Sequence, residues 1–219
     1  MGKMMDAGGE MPPKVLQMYR AVMELIEEGE DIADLKVSTI TDKAGIGKGT
    51  AYEYFETKDE IVVSAIVYYM QFFFGKLHEE LMRREIFRER LAYLLDEVEK
   101  VRGRKVCFFR FLHLLSNTSE FSVLIRNKLR EEGFEPYLPM HFLSEMVKQA
   151  RENKEIASEA PVDYLVCFLM AQLMNYTLTM SIGADILGTD SKGMRRNIEQ
   201  SIHNELQILC VKNKKIVSK

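Results

Sequence analysis

The stretch Val37-Ser-Thr-Ile-Thr-Asp-Lys-Ala-Gly-Ile-Gly-Lys-Gly-Thr-Ala-Tyr-Glu-Tyr-Phe55 decides the fold. Ile40, Ala44, Ile46 and Phe55 supply a small apolar core shared by two short helices. Gly45 follows Ala44 where the chain must turn sharply, which suits a residue free to adopt positive φ. Gly47 and Gly49 leave little bulk at the start of the second helix, so its free backbone N–H groups can closely approach a phosphate or a base edge. Lys48, Thr50, Tyr52 and Tyr54 place an ammonium and hydroxyls on its open face. The pattern implies a helix-turn-helix, whose second helix enters the DNA major groove.

Outward from this segment the helical period continues in both directions. Pro13 is placed to open a helix whose apolar positions are Val15, Met18, Val22, Leu25 and Ile26, with Gly29 as its C-cap. Thr57-Lys58-Asp59-Glu60 has the pattern of a capping box and starts a long fourth helix with Ile61, Ala65, Ile66, Tyr69 and Phe73 as its buried stripe. Phe87, Leu91, Leu94 and Val98 form another stripe, and 106–115 is apolar almost all round. Phe121 to Leu129 gives a further stripe, interrupted by Gly133, Pro136 and Pro139, and Phe142 to Ala150 resumes it. Pro161 opens a helix to about Ile182. Asp190 or Ser191 caps the last one, with Met194, Ile198, Ile202, Leu206 and Leu209 as its stripe. No alternating strand pattern appears. The expected fold is all-α: a flexible tail at 1–12, a three-helix DNA-binding domain at 13–57, a larger helical regulatory and dimerisation domain at 58–211, joined through the fourth helix, and a basic tail at 212–219.

The chain has 219 residues and a net charge of −3, which advertises no general attraction to nucleic acid. From Lys14 to Glu60 six Lys or Arg face eleven Asp or Glu, a local balance of −5. Lys36, Lys43, Lys48 and Lys58 nevertheless flank the proposed contact surface, so binding is expected to lean on neutral donors, with a shallow salt dependence. Cys107, Cys167 and Cys210 match neither a zinc nor a redox spacing and are expected to be buried free thiols in a reducing cytoplasm. Met1 to Pro13 lacks an apolar signal core. Tyr164 to Ile182 is nearly long enough to cross a bilayer, but Gln172, Asn175, Thr177 and Thr179 interrupt it, which favours a buried interface helix over a membrane association.

The 37–58 segment resembles the DNA-binding signature of the tetracycline-repressor-like (TetR) family. That signature pairs Ile-Ala-x-x-Ala-Gly-Val with Gly-Thr-Leu-Tyr-x-His-Phe and a Lys. Here it stands as Ile40-Thr41-Asp42-Lys43-Ala44-Gly45-Ile46, Gly49-Thr50-Ala51-Tyr52-Glu53-Tyr54-Phe55 and Lys58. The motif covers about 25 residues, and the wider likeness reaches about residue 75. The resemblance implies that Tyr52, Tyr54 and Lys58 contact phosphates. Lys48, Gly49 and Thr50 would lie nearest the bases, with Ser38 and Thr39 anchoring the flanking backbone beside Lys36. Three departures stand out. Lys36 replaces a capping Thr, leaving that helix start uncapped or dependent on Asp34; Thr41 replaces a small Ala; and Ala51 replaces a larger apolar residue.

The same resemblance implies a homodimer built from 162–182 and 194–209, double-stranded operator DNA as partner, and an apolar small-molecule effector. Phe109, His113, Phe142, Met146, Met170, Met174 and Tyr176, with Gln172 and Asn175 as polar anchors, are the residues expected to line its pocket. No catalytic constellation is visible. Gly45 to Thr50 resembles a phosphate loop but has Gly49 between Lys48 and the hydroxyl, and no preceding strand. His78, His113, His141 and His203 are scattered, with no metal-ligand spacing. The sequence therefore points to a cytoplasmic transcriptional repressor without cofactor, metal or enzymatic activity. An enzyme using the same cavity, or a membrane-associated helical protein, are the rival classes.

Overall fold

The computed structural model describes residues 11–32, 34–100, 120–130, 138–182 and 191–209. Among these are the helices α1 (Pro13–Glu28), α2 (Val37–Ala44), α3 (Lys48–Tyr54), α4 (Lys58–Met82), α5 (Phe87–Lys100), α6 (Glu120–Leu129), α7 (Pro139–Glu152), α8 (Val162–Ile182) and α9 (Ser191–Leu206). The only β contact among the described residues is an isolated antiparallel bridge between Ile156 and Ile208. The expected helix at 106–115, residues 1–10 of the N-terminal tail, the basic tail at 212–219, Gly133, Pro136, Cys107 and Cys210 lie outside the described residues. The chain divides into two compact units, Met1–Gly75 with Arg104–Glu135, and Lys76–Gly103 with Pro136–Lys219. Helix α4 contributes residues to both.

In the first unit α1 packs on α2 and α3, and α2 packs on α3. The core holds Val15, Met18 and Val22 of α1, Ile40 of α2, Ala51 of α3, and Phe55, Ile61, Val62 and Ala65 at and beyond the turn into α4. Tyr19 is fully buried among them, its ring against Phe55 and Tyr68 at centroid distances of 6.1 and 5.5 Å. Its hydroxyl keeps it off a hydrophobic-stripe count, yet each such ring contributes about 1.5–3 kcal/mol by leaving water. Gly29 closes α1 at φ 104°, where its N–H and that of Glu30 reach back to Leu25 and Ile26 carbonyls, a pattern that favours glycine. On α4 the expected stripe slips by one residue: Phe73 is 40% exposed and Phe74 takes the buried position.

In the second unit α8 packs against α5, α7 and α9. Three neighbours explain why this helix is apolar over most of its girth. The hydroxyls that interrupt it are satisfied locally: Thr177 donates to the Leu173 carbonyl at 2.7 Å and Thr179 to that of Asn175 at 2.9 Å. Ile198, Ile202 and Leu206 of α9 are buried within the protomer, so that stripe serves the chain's own core rather than an outer interface. Leu209 does not continue it. The chain leaves the helix at Gln207 with φ 51°, which places Ile208 in the interior and leaves Leu209 47% exposed. Glu155, 6% exposed, accepts the Phe87 N–H at 2.6 Å and so caps the start of α5. Cys167 is exposed on α8, contrary to the buried thiol expected, because it falls on the face that α5, α7 and α9 leave open.

Candidate nucleic-acid interface

Helix α2 begins at Lys36 with extended backbone and no side-chain cap, so neither Lys36 nor Asp34 supplies the missing acceptor. Lys36, Ser38 and Thr39 are all exposed at that end. Thr41 is 1% exposed, and its hydroxyl donates to the Ser38 carbonyl at 3.0 Å; that bond lets a hydroxyl sit where the signature has Ala. Gly45 ends α2 at φ 68°, and Ile46 N–H returns to the Thr41 carbonyl. A Cβ on Gly45 would meet no atom within 4 Å, so backbone conformation alone asks for glycine here.

Helix α3 has one buried residue, Ala51, and the chain leaves it through the buried Phe55. Ala51 is 0% exposed, so the smaller side chain still serves as the helix's apolar anchor. Lys48 and Gly49 are exposed, Thr50 and Tyr54 half-buried, and Tyr52 is 52% exposed. Added Cβ atoms on Gly47 and Gly49 would also meet nothing within 4 Å; the fold itself imposes no small residue at either place. Both stand exposed on the surface of the turn and α3.

The capping box at the start of α4 forms, with a variation. Thr57 Oγ1 accepts the Glu60 N–H at 3.1 Å, while the Glu60 carboxylate reaches back to the Glu56 N–H at 2.8 Å, one residue earlier than the standard box. This fixes Lys58 in the first turn of α4, half-buried, with Asp59 3.3 Å from its ammonium.

Lys43 departs from its expected place on the contact surface. It pairs with Glu28 and Glu24 of α1, and the hydrogen bond to Glu28 holds its ammonium above the ordinary lysine pKa. Part of the acidic excess at the end of α1 is thus engaged in joining α1 to α2. The sequence pattern assigns Lys43 by proximity alone; a pairing fifteen residues away leaves no local signal.

Of the expected pocket residues, Phe109 and His113 lie outside the described residues. Phe142 and Met146 are buried on α7; Met170, Gln172 and Met174 are half-buried on α8, and Asn175 is exposed. Tyr176 is buried, with its hydroxyl donating to Glu99, and burial with that carboxylate nearby pushes its pKa up. A contact not legible in sequence joins α4 to α7: the His78 ring stacks on Phe142 at 6.2 Å, and its Nε2 lies 2.9 Å from Glu145. Among the described residues no group of three or more His, Cys, Asp or Glu is placed to hold a metal ion.

A three-helix unit whose short third helix is anchored on one side and presents hydroxyls, an ammonium and bare backbone on the other has the arrangement of a helix-turn-helix. Residues 20–65 match the family described as bacterial regulatory proteins, tetR family. It is 25% identical over 123 residues to the fatty acid metabolism regulator protein of Bacillus subtilis strain 168, a match covering 56% of each chain. The matched part thus spans little more than half the length of that curated relative. The fold is similar to the transcriptional regulator FadR of Bacillus subtilis solved with stearoyl-CoA, at TM-score 0.64, 19% identity, and coverage of 87% of this chain and 98% of that one. It is also similar to a TetR transcription regulator from Haloarcula marismortui, at TM-score 0.63, 17% identity, and coverage of 89% and 96%. Helix α4 is, among the described residues, the one long and apolar enough to cross a membrane, and 56% of its apolar window is buried within the protein.

Proposed function

We propose that the chain is a homodimeric repressor that holds a near-palindromic operator through α3 and releases it when an apolar small molecule binds the second unit. The observation that carries the DNA half is the outward face of α3: Gly49 bare, Tyr52 half in solvent, and Lys58 fixed beside it by the Thr57 cap. On this reading Tyr52, Tyr54 and Lys58 take phosphates, Lys48, Gly49 and Thr50 lie against base edges, and Lys36, Ser38 and Thr39 hold the flanking backbone.

A second copy of the chain is the partner for α8. Tyr164, Cys167, Ala171 and Asn175 are exposed at spacings of three and four and form a stripe along the helix. Because Leu206 is internal, the interface is assigned to this stripe together with the outward side of α9. Ala171→Glu should yield monomers with the helical content intact, measured by light scattering and circular dichroism; an unaltered dimer moves the interface elsewhere. With two-fold symmetry the half-sites lie about one helical turn apart, or a multiple of it.

The effector half is supported by Phe142 and Met146 in the interior of the second unit and by the ligand named for the Bacillus subtilis structure. A guest that displaced Phe142 would disturb the His78 and Glu145 contacts and so the end of α4, whose other end carries the Thr57 cap next to α3. Long-chain acyl-CoA is therefore the first probe. A tenfold loss of DNA affinity needs about 1.4 kcal/mol of coupling, and the same factor must weaken the probe on operator-bound protein. Probe affinity measured with and without saturating operator tests this: equal values in both states rule out the switch.

A further inference from the structure

The signature leaves one position of the recognition helix open, and this chain fills it with an acid. Glu53 is exposed on α3 between Tyr52 and Tyr54. With 3.6 residues per turn, Glu53 and Gly49 project about 160–200° away from Ala51, the residue that anchors the helix. They are therefore the two positions that point most directly out of the domain, one above the other on one face. Gly49 adds no side chain to that face, and Glu53 above it is exposed.

Four acids of this unit have internal roles. Glu24 and Glu28 hold Lys43, Asp59 holds Lys58, and Glu60 caps α4. Among the described residues Glu53 makes no hydrogen bond or ion pair. A carboxylate on the groove-facing side of a DNA-binding helix opposes every phosphate it approaches, so it does not contribute to general affinity. What it offers is an acceptor with no donor. In the major groove cytosine presents only the N4 amino donor, guanine presents two acceptors and thymine one. Adenine presents an N6 donor beside an N7 acceptor.

We propose that Glu53 is a specificity determinant: its carboxylate accepts a hydrogen bond from the N4 amino group of one cytosine in each half-site and rejects guanine and thymine there. The inference rests on α3 entering the major groove. A single well-placed base contact is worth roughly fivefold or more in discrimination. The acid thus trades general affinity for sequence choice, which suits a chain whose DNA-binding segment is acidic overall.

The test is selection from a random duplex pool with the full chain, Glu53→Gln and Glu53→Ala. The parent should fix one cytosine per half-site. Glu53→Gln should lose that cytosine in favour of adenine, whose N6 and N7 suit a carboxamide, and leave the remaining consensus unchanged. Glu53→Ala should become indifferent at that position alone, and a cytosine-to-guanine change there should cost the parent about fivefold or more and the alanine variant nothing. An unchanged consensus in both variants, with a uniform gain in affinity for all duplexes, overturns the inference while leaving groove binding intact. If the parent enriches no sequence at all, the groove placement of α3 fails and the inference falls with it.

Discussion

Helix α3 has 7 residues and one buried side chain, while α8 has 21 and buries Leu165, Val166, Leu169, Leu173, Tyr176, Thr177, Thr179 and Met180. Their polar groups differ in the same sense. On α8 the threonine hydroxyls return to carbonyls of their own helix, and the Tyr176 hydroxyl is held by Glu99, itself bound to Arg195, which also pairs with Asp96. On α3 the hydroxyl of Tyr52 and the carboxylate of Glu53 face outward. A helix that closes its own hydrogen bonds supports a core. One that leaves donors and acceptors open has them available for a partner, which on the proposed function is DNA. Substitutions should therefore cost stability where groups are closed, and binding where they are open.

The largest expected loss of stability is in the closed region. Leu206→Ala removes a fully buried side chain of α9 and should lower the unfolding free energy by about 2–5 kcal/mol. Denaturant titration measures it, and a loss under 1 kcal/mol would mean that Leu206 faces a partner rather than its own core. Next comes Gly45→Ala, which forces a Cβ into the left-handed region at φ 68° for about 1–2 kcal/mol. The space around it is empty, so a smaller effect would show that the turn relaxes. Thr57→Ala removes the acceptor for the Glu60 N–H and should cost about 1 kcal/mol, read as a small fall in Tm. At the open end of the comparison, Tyr52→Phe should change stability by less than about 0.5 kcal/mol and still weaken DNA.

Much of the first unit was legible because its signals are local. Pro13 opens α1, Gly29 and Gly45 close their helices in the left-handed conformation, and Thr57 with Glu60 starts α4. Each depends on neighbours within a few residues. The slips have non-local causes. Phe73 and Phe74 are equally apolar, and only packing chooses between them. Gln207 takes a positive φ that no glycine announces, so Ile208 replaces Leu209 in the core. Periodicity shows that α9 has an apolar face, but not whether that face meets its own chain or a second copy. The pairings of Lys43 with Glu28 and of His78 with Glu145 bridge fifteen and sixty-seven residues and have no sequence signature.

The central claim is that the outward face of α3, fixed beside the start of α4, holds operator DNA. The most direct measurement is a titration of the parent chain and Lys58→Ala against the selected duplex and a scrambled one, over a series of salt concentrations. The parent should prefer the selected duplex by about a thousandfold or more. Lys58→Ala should weaken both duplexes by a similar factor and reduce the salt slope by about one. Equal binding of the parent to both duplexes, or a Lys58→Ala protein with the parent's affinities and slope, would contradict the account.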